Sequence, residues 1–136
     1  MPSTPPTIRV VAAVIEREGE YLITQRRPGA VLPLLWEFPG GRVEVERGET
    51  DAEAIRRELR HRLGVGVEPR ELIGFVSHPY PSYGVELYLY ACRIESGEPK
   101  ADHVHSFRWV PSSQFDQYTF TPADEVSMNQ LLGLDG

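Results

Sequence analysis

The stretch from Gly40 to Val65, GGRVEVERGETDAEAIRRELRHRLGV, constrains this chain more than any other: a glycine turn, an acidic loop and one charged helix, in that order. Thr50 is a helix N-cap with Glu53 three residues on, the spacing at which hydroxyl and carboxylate each accept from the other's backbone amide. Ile55, Leu59 and Leu63 then recur at i, i+4 and i+8 as one apolar stripe, and Gly64 is placed to end the helix. That gives about three and a half turns at 3.6 residues each. At about 100° per residue, Glu58, His61 and Arg62 fall within one third of the circumference, while Arg56, Arg57 and Arg60 point elsewhere.

Strand-like segments surround this helix. Ile8 to Ile15 is β-branched and apolar, Arg17-Glu18-Gly19 is a turn by composition, and Glu20 to Gln25 reads as the partner, so a hairpin is expected to open the fold. Leu72 to Tyr80 and Val85 to Ile94 are two further strands joined by Pro81-Ser82-Tyr83-Gly84. A short strand ends at Trp109-Val110. Thr121-Pro122-Ala123-Asp124 then starts a second helix, which Gly133 is placed to end. Two helices on opposite faces of mixed strands predict an α/β fold, an α/β/α sandwich with a mixed β-sheet. Residues 1–7, rich in Pro, Ser and Thr, are expected to be a flexible N-terminus, and residues 8–136 a single domain. Along Val85 to Ile94, Glu86, Tyr88 and Tyr90 share one side and Val85, Leu87 and Leu89 the other. The apolar side is expected to pack on a helix, leaving the Tyr88 side to line a cleft where an aromatic ring suits a flat base.

The net charge of −6 argues against non-specific nucleic-acid binding and says nothing against a small nucleotide. Cys92, the only cysteine, lies inside the apolar run Leu87 to Ile94 and reads as a core residue, so no intramolecular disulfide is possible. No stretch is long enough to span a membrane and the start, MPSTPPT, lacks the marks of a signal peptide, so a cytoplasmic location is expected.

The Gly40–Val65 stretch resembles the signature of the Nudix hydrolases, which cleave nucleoside diphosphates linked to another group. In that signature a glycine is followed after five residues by Glu, then after seven more by Arg-Glu, an aliphatic residue, any residue, Glu-Glu, any residue, Gly and an aliphatic residue. Glu49, Arg57-Glu58-Leu59 and Gly64-Val65 fit in frame. Trp36-Glu37-Phe38-Pro39-Gly40-Gly41, preceded by a strand ending in Arg26-Arg27, is similar to the MutT-like pyrophosphatase branch, as is the late Arg108-Trp109-Val110. Two features depart. Seven residues rather than five separate Gly41 from Glu49, an insertion around Val45 to Arg47 that a surface loop tolerates cheaply. His61 and Arg62 stand where the family has its paired glutamates.

The resemblance implies Mg²⁺ or Mn²⁺ held by the Gly40 carbonyl, Glu58 and Asp102, with Glu58, Asp102 and Glu49 as catalytic candidates. It also implies a nucleotide or nucleoside diphosphate derivative as ligand. The candidate binding residues are Arg26, Arg27, Arg62, Phe38, Tyr88 and Asp124. Hard divalent ions need anionic oxygen donors. Three carboxylates supply three negative charges, whereas Glu58, Arg62 and a neutral His61 sum to about zero. One unit charge at about 4 Å is worth roughly 4 kcal/mol at an effective dielectric of 20, comparable to the whole binding free energy of a millimolar site, about 4 kcal/mol. The usual metal site is therefore expected to be impaired, and a Glu58–Arg62 ion pair at i, i+4 is expected in its place. Arg62 is also a candidate phosphate clamp, since guanidinium grips phosphate oxygens as a bidentate fork. Of the four histidines, His61, His78, His103 and His105, the alternating His103 and His105 would point to one side of a strand, and with His61 or Asp102 they are an alternative zinc set.

Three readings stay open. The chain is a Nudix-fold protein that binds a nucleotide or a protein partner with hydrolysis lost or strongly reduced and no metal needed. It is an active Mg²⁺- or Mn²⁺-dependent pyrophosphohydrolase. Or it is an interaction domain with an empty cleft.

Overall fold

The computed structural model describes residues 6–132. In chain order these form β1 (Thr7–Val14), β2 (Glu16–Arg17), β3 (Glu20–Gln25), β4 (Trp36–Glu37), β5 (Gly40–Arg42), α1 (Asp51–Leu63), β6 (Gly66–Pro79), β7 (Gly84–Ser96), β8 (Ser106–Val110) and α2 (Pro122–Leu132). One sheet runs β5-β1-β7-β6, with β1 parallel to β7 and every other pairing antiparallel. In the other, β3 carries β2 and β4 along one edge and β8 along the other. This is the mixed α/β/α sandwich that the sequence predicts. Of the expected N-terminal tail, Pro6 and Thr7 are described, and Thr7 already belongs to β1; the expected helix end at Gly133 lies outside the described residues.

β1 organises the core because it is buried on both faces. Val11, Ala13 and Ile15 pack with Ile55, Leu59 and Leu63 of α1, while Ala12 and Val14 pack with Phe38, Leu87, Leu89, Phe115 and Phe120 on the other side. A strand so placed needs a neighbour on each edge, and β5 and β7 fill both. The expected β1–β3 hairpin is therefore not the one that forms. The chain crosses from one sheet to the other at Ile15, whose carbonyl accepts from the Leu22 amide at 3.0 Å, and the hairpin is the short β2–β3 pair. Its two turn residues, Glu18 (φ 53°) and Gly19 (φ 80°), are both left-handed, which matches the twist of two-residue hairpins.

The apolar face of β7 packs towards a helix as expected, with Leu87 and Leu89 clustered with Ala123 of α2, but this same face lines a cavity through Val85 and Leu87, whereas Tyr88 and Tyr90 face the α1 side instead of a cleft. The cause is polar. Asp51, in the first turn of α1, takes a bidentate pair of bonds from Arg9 at 2.8 and 2.7 Å and a further bond from the Tyr90 hydroxyl, and the Arg9 guanidinium lies 3.9 Å over the Tyr88 ring. Tyr88 is thus an internal cation–π partner and is removed from the set of cleft-lining residues. The inserted residues Val45–Arg47 form a single 3₁₀ turn, closed by Gly48.

Candidate functional site

Helix α1 begins as its sequence dictates. The Glu53 amide donates to the Thr50 hydroxyl at 3.2 Å and the Thr50 amide to the Glu53 carboxylate at 2.9 Å. It ends at Gly64, left-handed at φ 69°, whose N–H returns to the Arg60 carbonyl. With Ile55, Leu59 and Leu63 fully buried, the neighbouring face of the helix is pressed onto β5. The Glu58 carboxylate lies so close to Gly41 that a Cβ there would be 2.4 Å from Glu58 Cδ. Gly40 is closer still to its neighbour, since a Cβ would meet the Val11 carbonyl oxygen at 1.9 Å.

Around Glu58 the charged side chains form one continuous ribbon. Arg57 donates to Glu49 through Nε at 2.7 Å and Nη2 at 2.9 Å, and to Glu58 Oε1 through Nη1 at 2.8 Å. Arg62 Nε donates to Glu58 Oε2 at 2.7 Å, its Nη1 lies 3.8 Å from Glu37 Oε2, and Arg26 Nη1 reaches both Glu37 oxygens at 3.2 Å. Glu49, Glu58 and Glu37 thus alternate with Arg57, Arg62 and Arg26, and the formal charges cancel. The i, i+4 pair expected at Glu58–Arg62 is present. Arg57, assigned by helical angle to another face, nevertheless reaches Glu58 because its guanidinium sits at the end of a long flexible stem.

The ribbon separates two cavities. The first, about 260 Å³, is walled by Val10, Phe38, Val85, Leu87, Tyr80 and Tyr83, with Glu37 and Asp124 as its acids. The second, about 460 Å³, is walled by Arg26, Arg27, Arg57, Arg62, the His61–His103 pair and Glu58, with Ala30 and Val104 its other lining residues. Arg26 and Arg62 line both. The second cavity is strongly cationic although the chain as a whole is acidic.

Burial and charge tune the acids differently. The Arg57 guanidinium, with help from the Glu44 backbone amide, holds the Glu49 carboxyl down at about 2. Asp124 is buried, accepting from the Phe38 amide at 3.0 Å and the Thr121 hydroxyl at 2.6 Å; burial and the nearby Glu37 charge push its carboxyl up to about 7. Asp124 therefore acts both as the helix-start acid expected of it and as a tie between α2 and the strand leading to Gly40. Burial likewise raises Glu37, against the pull of Arg26 and Arg62. Phe38 itself is a core residue, 2% exposed, whose ring also closes one wall of the first cavity.

Asp102 is not brought to Glu58. It is exposed beside Gly64, six residues further along α1, about 9 Å at 1.5 Å per residue. Its loop instead satisfies the carbonyls at the helix end, with Lys100 donating to Leu63 and His103 to Arg62. His103 Nδ1 lies 2.8 Å from the His61 carbonyl, which can only accept, so Nδ1 carries the proton. The two rings stack at 3.9 Å and 17°, a face-to-face arrangement that does not converge ring nitrogens on one ion; His78 packs on Tyr80 and the His105 amide bonds to Gln25. The zinc set is not assembled. The divalent ion that the resemblance implies does not fit either: both Glu58 oxygens are taken by arginines, and among the described residues no group of three or more His, Cys, Asp or Glu side chains is arranged to hold a metal.

Sequence reasoning missed Glu37, Arg57, Tyr80 and Tyr83 as lining residues. Glu37, an acid between Trp36 and Phe38, carried a readable signal, because an acid set among large apolar residues must find a cation. The tyrosines carried none beyond their place in a turn.

The model of the NUDIX domain family matches residues 10–130. The CTP pyrophosphohydrolase of Escherichia coli (strain K12) is 35% identical over 129 residues, covering 93% of each chain. The 8-oxo-dGTP diphosphatase of Haemophilus influenzae is 32% identical over 126 residues, 92% of this chain and 91% of that one. Among solved structures, the E. coli ORF135 protein matches with a TM-score of 0.79 at 30% identity, covering 96% of this chain and 91% of that one. The MutT protein of Methanosarcina mazei Go1 shares the fold, with a TM-score of 0.81 at 21% identity over 97% and 96% of the two chains. A family match spanning nearly the whole chain, a β-strand core buried on both faces and the Glu49, Arg57-Glu58, Gly64 frame together make this chain a member of the Nudix family.

Proposed function

We propose that this Nudix domain binds a nucleoside di- or triphosphate through arginines rather than through a divalent metal, with hydrolysis lost or strongly reduced. The observation that carries the reading is the Arg62–Glu58 ion pair at 2.7 Å. It sets a fixed cation beside Glu58, one of the carboxylates the family uses for its metal, and leaves that carboxylate saturated by two guanidinium groups. In this reading the phosphates occupy the cationic cavity, gripped by Arg26, Arg27 and Arg62, and the nucleoside occupies the apolar one beside Phe38 and Asp124. The internal glutamates hold the arginines extended in the empty protein and yield them to the ligand.

The relatives favour a second reading. Those from E. coli and H. influenzae are named a CTP pyrophosphohydrolase and an 8-oxo-dGTP diphosphatase, and an active enzyme of this kind uses Mg²⁺ or Mn²⁺. Thermal unfolding with CTP and GTP, in Mg²⁺ and separately in EDTA, with nucleoside monophosphate assayed, separates the two. Stabilisation that persists in EDTA without product supports the first reading. Stabilisation that needs metal and ends in monophosphate supports the second, and no response to either nucleotide turns the search to protein partners.

A further inference from the structure

Glu37 occupies a place that a ligand would want. Its carboxylate bridges Arg26 and Arg62, the two residues common to both cavities, at 3.2 and 3.8 Å. Any nucleotide that lays its nucleoside in one cavity and its phosphates in the other must cross the boundary between these two guanidiniums. The first phosphate of a nucleoside di- or triphosphate competes with Glu37 on equal terms, with one charge on two free oxygens, and the phosphates that follow it add charge in the cationic cavity where Glu37 has none to offer; guanidinium groups bind such oxygens through charge-assisted forks.

We propose that the first phosphate of a metal-free nucleotide sits between Arg26 and Arg62 in place of the Glu37 carboxylate, and that the displaced Glu37 takes up a proton beside Asp124. The inference rests on the nucleotide-binding reading and adds to it a position for one phosphate and a proton that travels with the ligand. The groups facing Glu37 come from every element around it: Arg26 at the end of β3, Arg62 and Glu58 on α1, Asp124 in the first turn of α2, and Tyr80 and Tyr83 after β6. Arg26 and Arg62 are the cations that act on Glu37, and Arg42 of β5 also lines this cavity. When Arg26 and Arg62 turn to phosphate, Glu37 loses its bonds to them and shares a largely apolar wall with Asp124 beside a new anion, which favours the neutral form of Glu37. Burial already favours the neutral form of each. Asp124 keeps its bonds to the Phe38 amide and Thr121 hydroxyl throughout, which leaves Glu37 as the group that changes partner.

The test is titration calorimetry of the full chain with CTP, GTP and inorganic tripolyphosphate in EDTA at pH 7.5, repeated in buffers of different ionisation enthalpy. The expected result is an enthalpy that varies linearly with buffer ionisation, reporting uptake of roughly half to one proton for each nucleotide. Glu37→Gln, which keeps an oxygen for Arg26 but cannot titrate, should lose most of that dependence and bind about tenfold tighter at pH 8. Nucleotide binding with a buffer-independent enthalpy overturns the proton-coupled displacement while leaving arginine-based binding intact. Uptake with CTP that survives undiminished in Glu37→Gln overturns the assignment to Glu37. Absence of binding by all three probes in EDTA overturns both the inference and the reading beneath it.

Discussion

Arg62 Nε donates to Glu58 Oε2 at 2.7 Å across one turn of α1, and Arg57 Nη1 closes on the other oxygen at 2.8 Å. A carboxylate held from both sides in this way has each of its oxygens bonded to a guanidinium. Replacing it removes an internal competitor for two arginines. Breaking one partly buried charge-assisted pair typically costs stability of about 1–3 kcal/mol, so Glu58→Gln should lower the unfolding midpoint while leaving the fold in place, as followed by circular dichroism.

The double variant His61→Glu/Arg62→Glu rebuilds the carboxylate set beside Glu58 and removes the cation between Glu58 and Glu37. It should bind Mn²⁺ with a dissociation constant at or below about 1 mM, measured by the loss of the free-ion signal in electron paramagnetic resonance, where the parent chain takes up none at the same concentration. If the double variant binds no more Mn²⁺ than the parent, His61 and Arg62 are not what sets the metal affinity of this cleft.

Much of this is legible in the amino-acid sequence. The capping box, the Ile55–Leu59–Leu63 stripe, the Gly64 stop and the Glu58–Arg62 pair are all local, decided within a few residues by helix geometry. What the sequence did not disclose are decisions between segments. β1 and β3 read as a hairpin because they are adjacent and apolar, yet the burial of β1 on both faces sends β3 to another sheet. Tyr88 and Val85 could each face the cleft by alternation alone, and Arg9 with Asp51, 42 residues apart, chose between them. Arg57 and Glu37 join the site through side-chain reach, which no helical angle or strand parity records.

The two glycines of the turn should respond differently to a methyl group. At Gly41 the obstacle is the far end of the Glu58 side chain, which can swing aside at the cost of its arginine bonds; Gly41→Ala should fold with a loss of about 1–3 kcal/mol, in the range of overpacked sites. At Gly40 the obstacle is the β1 backbone at Val11, which cannot move without opening the β1–β5 pairing. Gly40→Ala should lose more than Gly41→Ala by urea titration, and equal losses would contradict this packing.

Stability should peak in mildly acidic solution. Glu49 is depressed to about 2 in the folded chain from an ordinary 4.5, so its contribution is present above 4.5 and is lost as pH falls towards 2. Asp124 is raised from 3.8 to about 7, which means the folded state holds its proton more tightly; stability falls as pH rises from about 4 to 7 and then levels off. Glu37, also raised by burial, adds to this upper limb, so Asp124→Asn should make it shallower without abolishing it and leave the acid limb unchanged, as read from unfolding midpoints between pH 2 and 8. An upper limb as steep in Asp124→Asn as in the parent would place its origin elsewhere.

The most direct test of arginine-based binding is the affinity of CTP in EDTA for the parent chain and for Glu58→Gln. Freed from an internal pair worth on the order of 1 kcal/mol, Arg62 should bind phosphate about three- to tenfold more tightly in the variant. A parent that ignores CTP in EDTA, but binds and cleaves it in Mg²⁺ and loses that cleavage in Glu58→Gln, would contradict the account and make Glu58 a catalytic metal ligand.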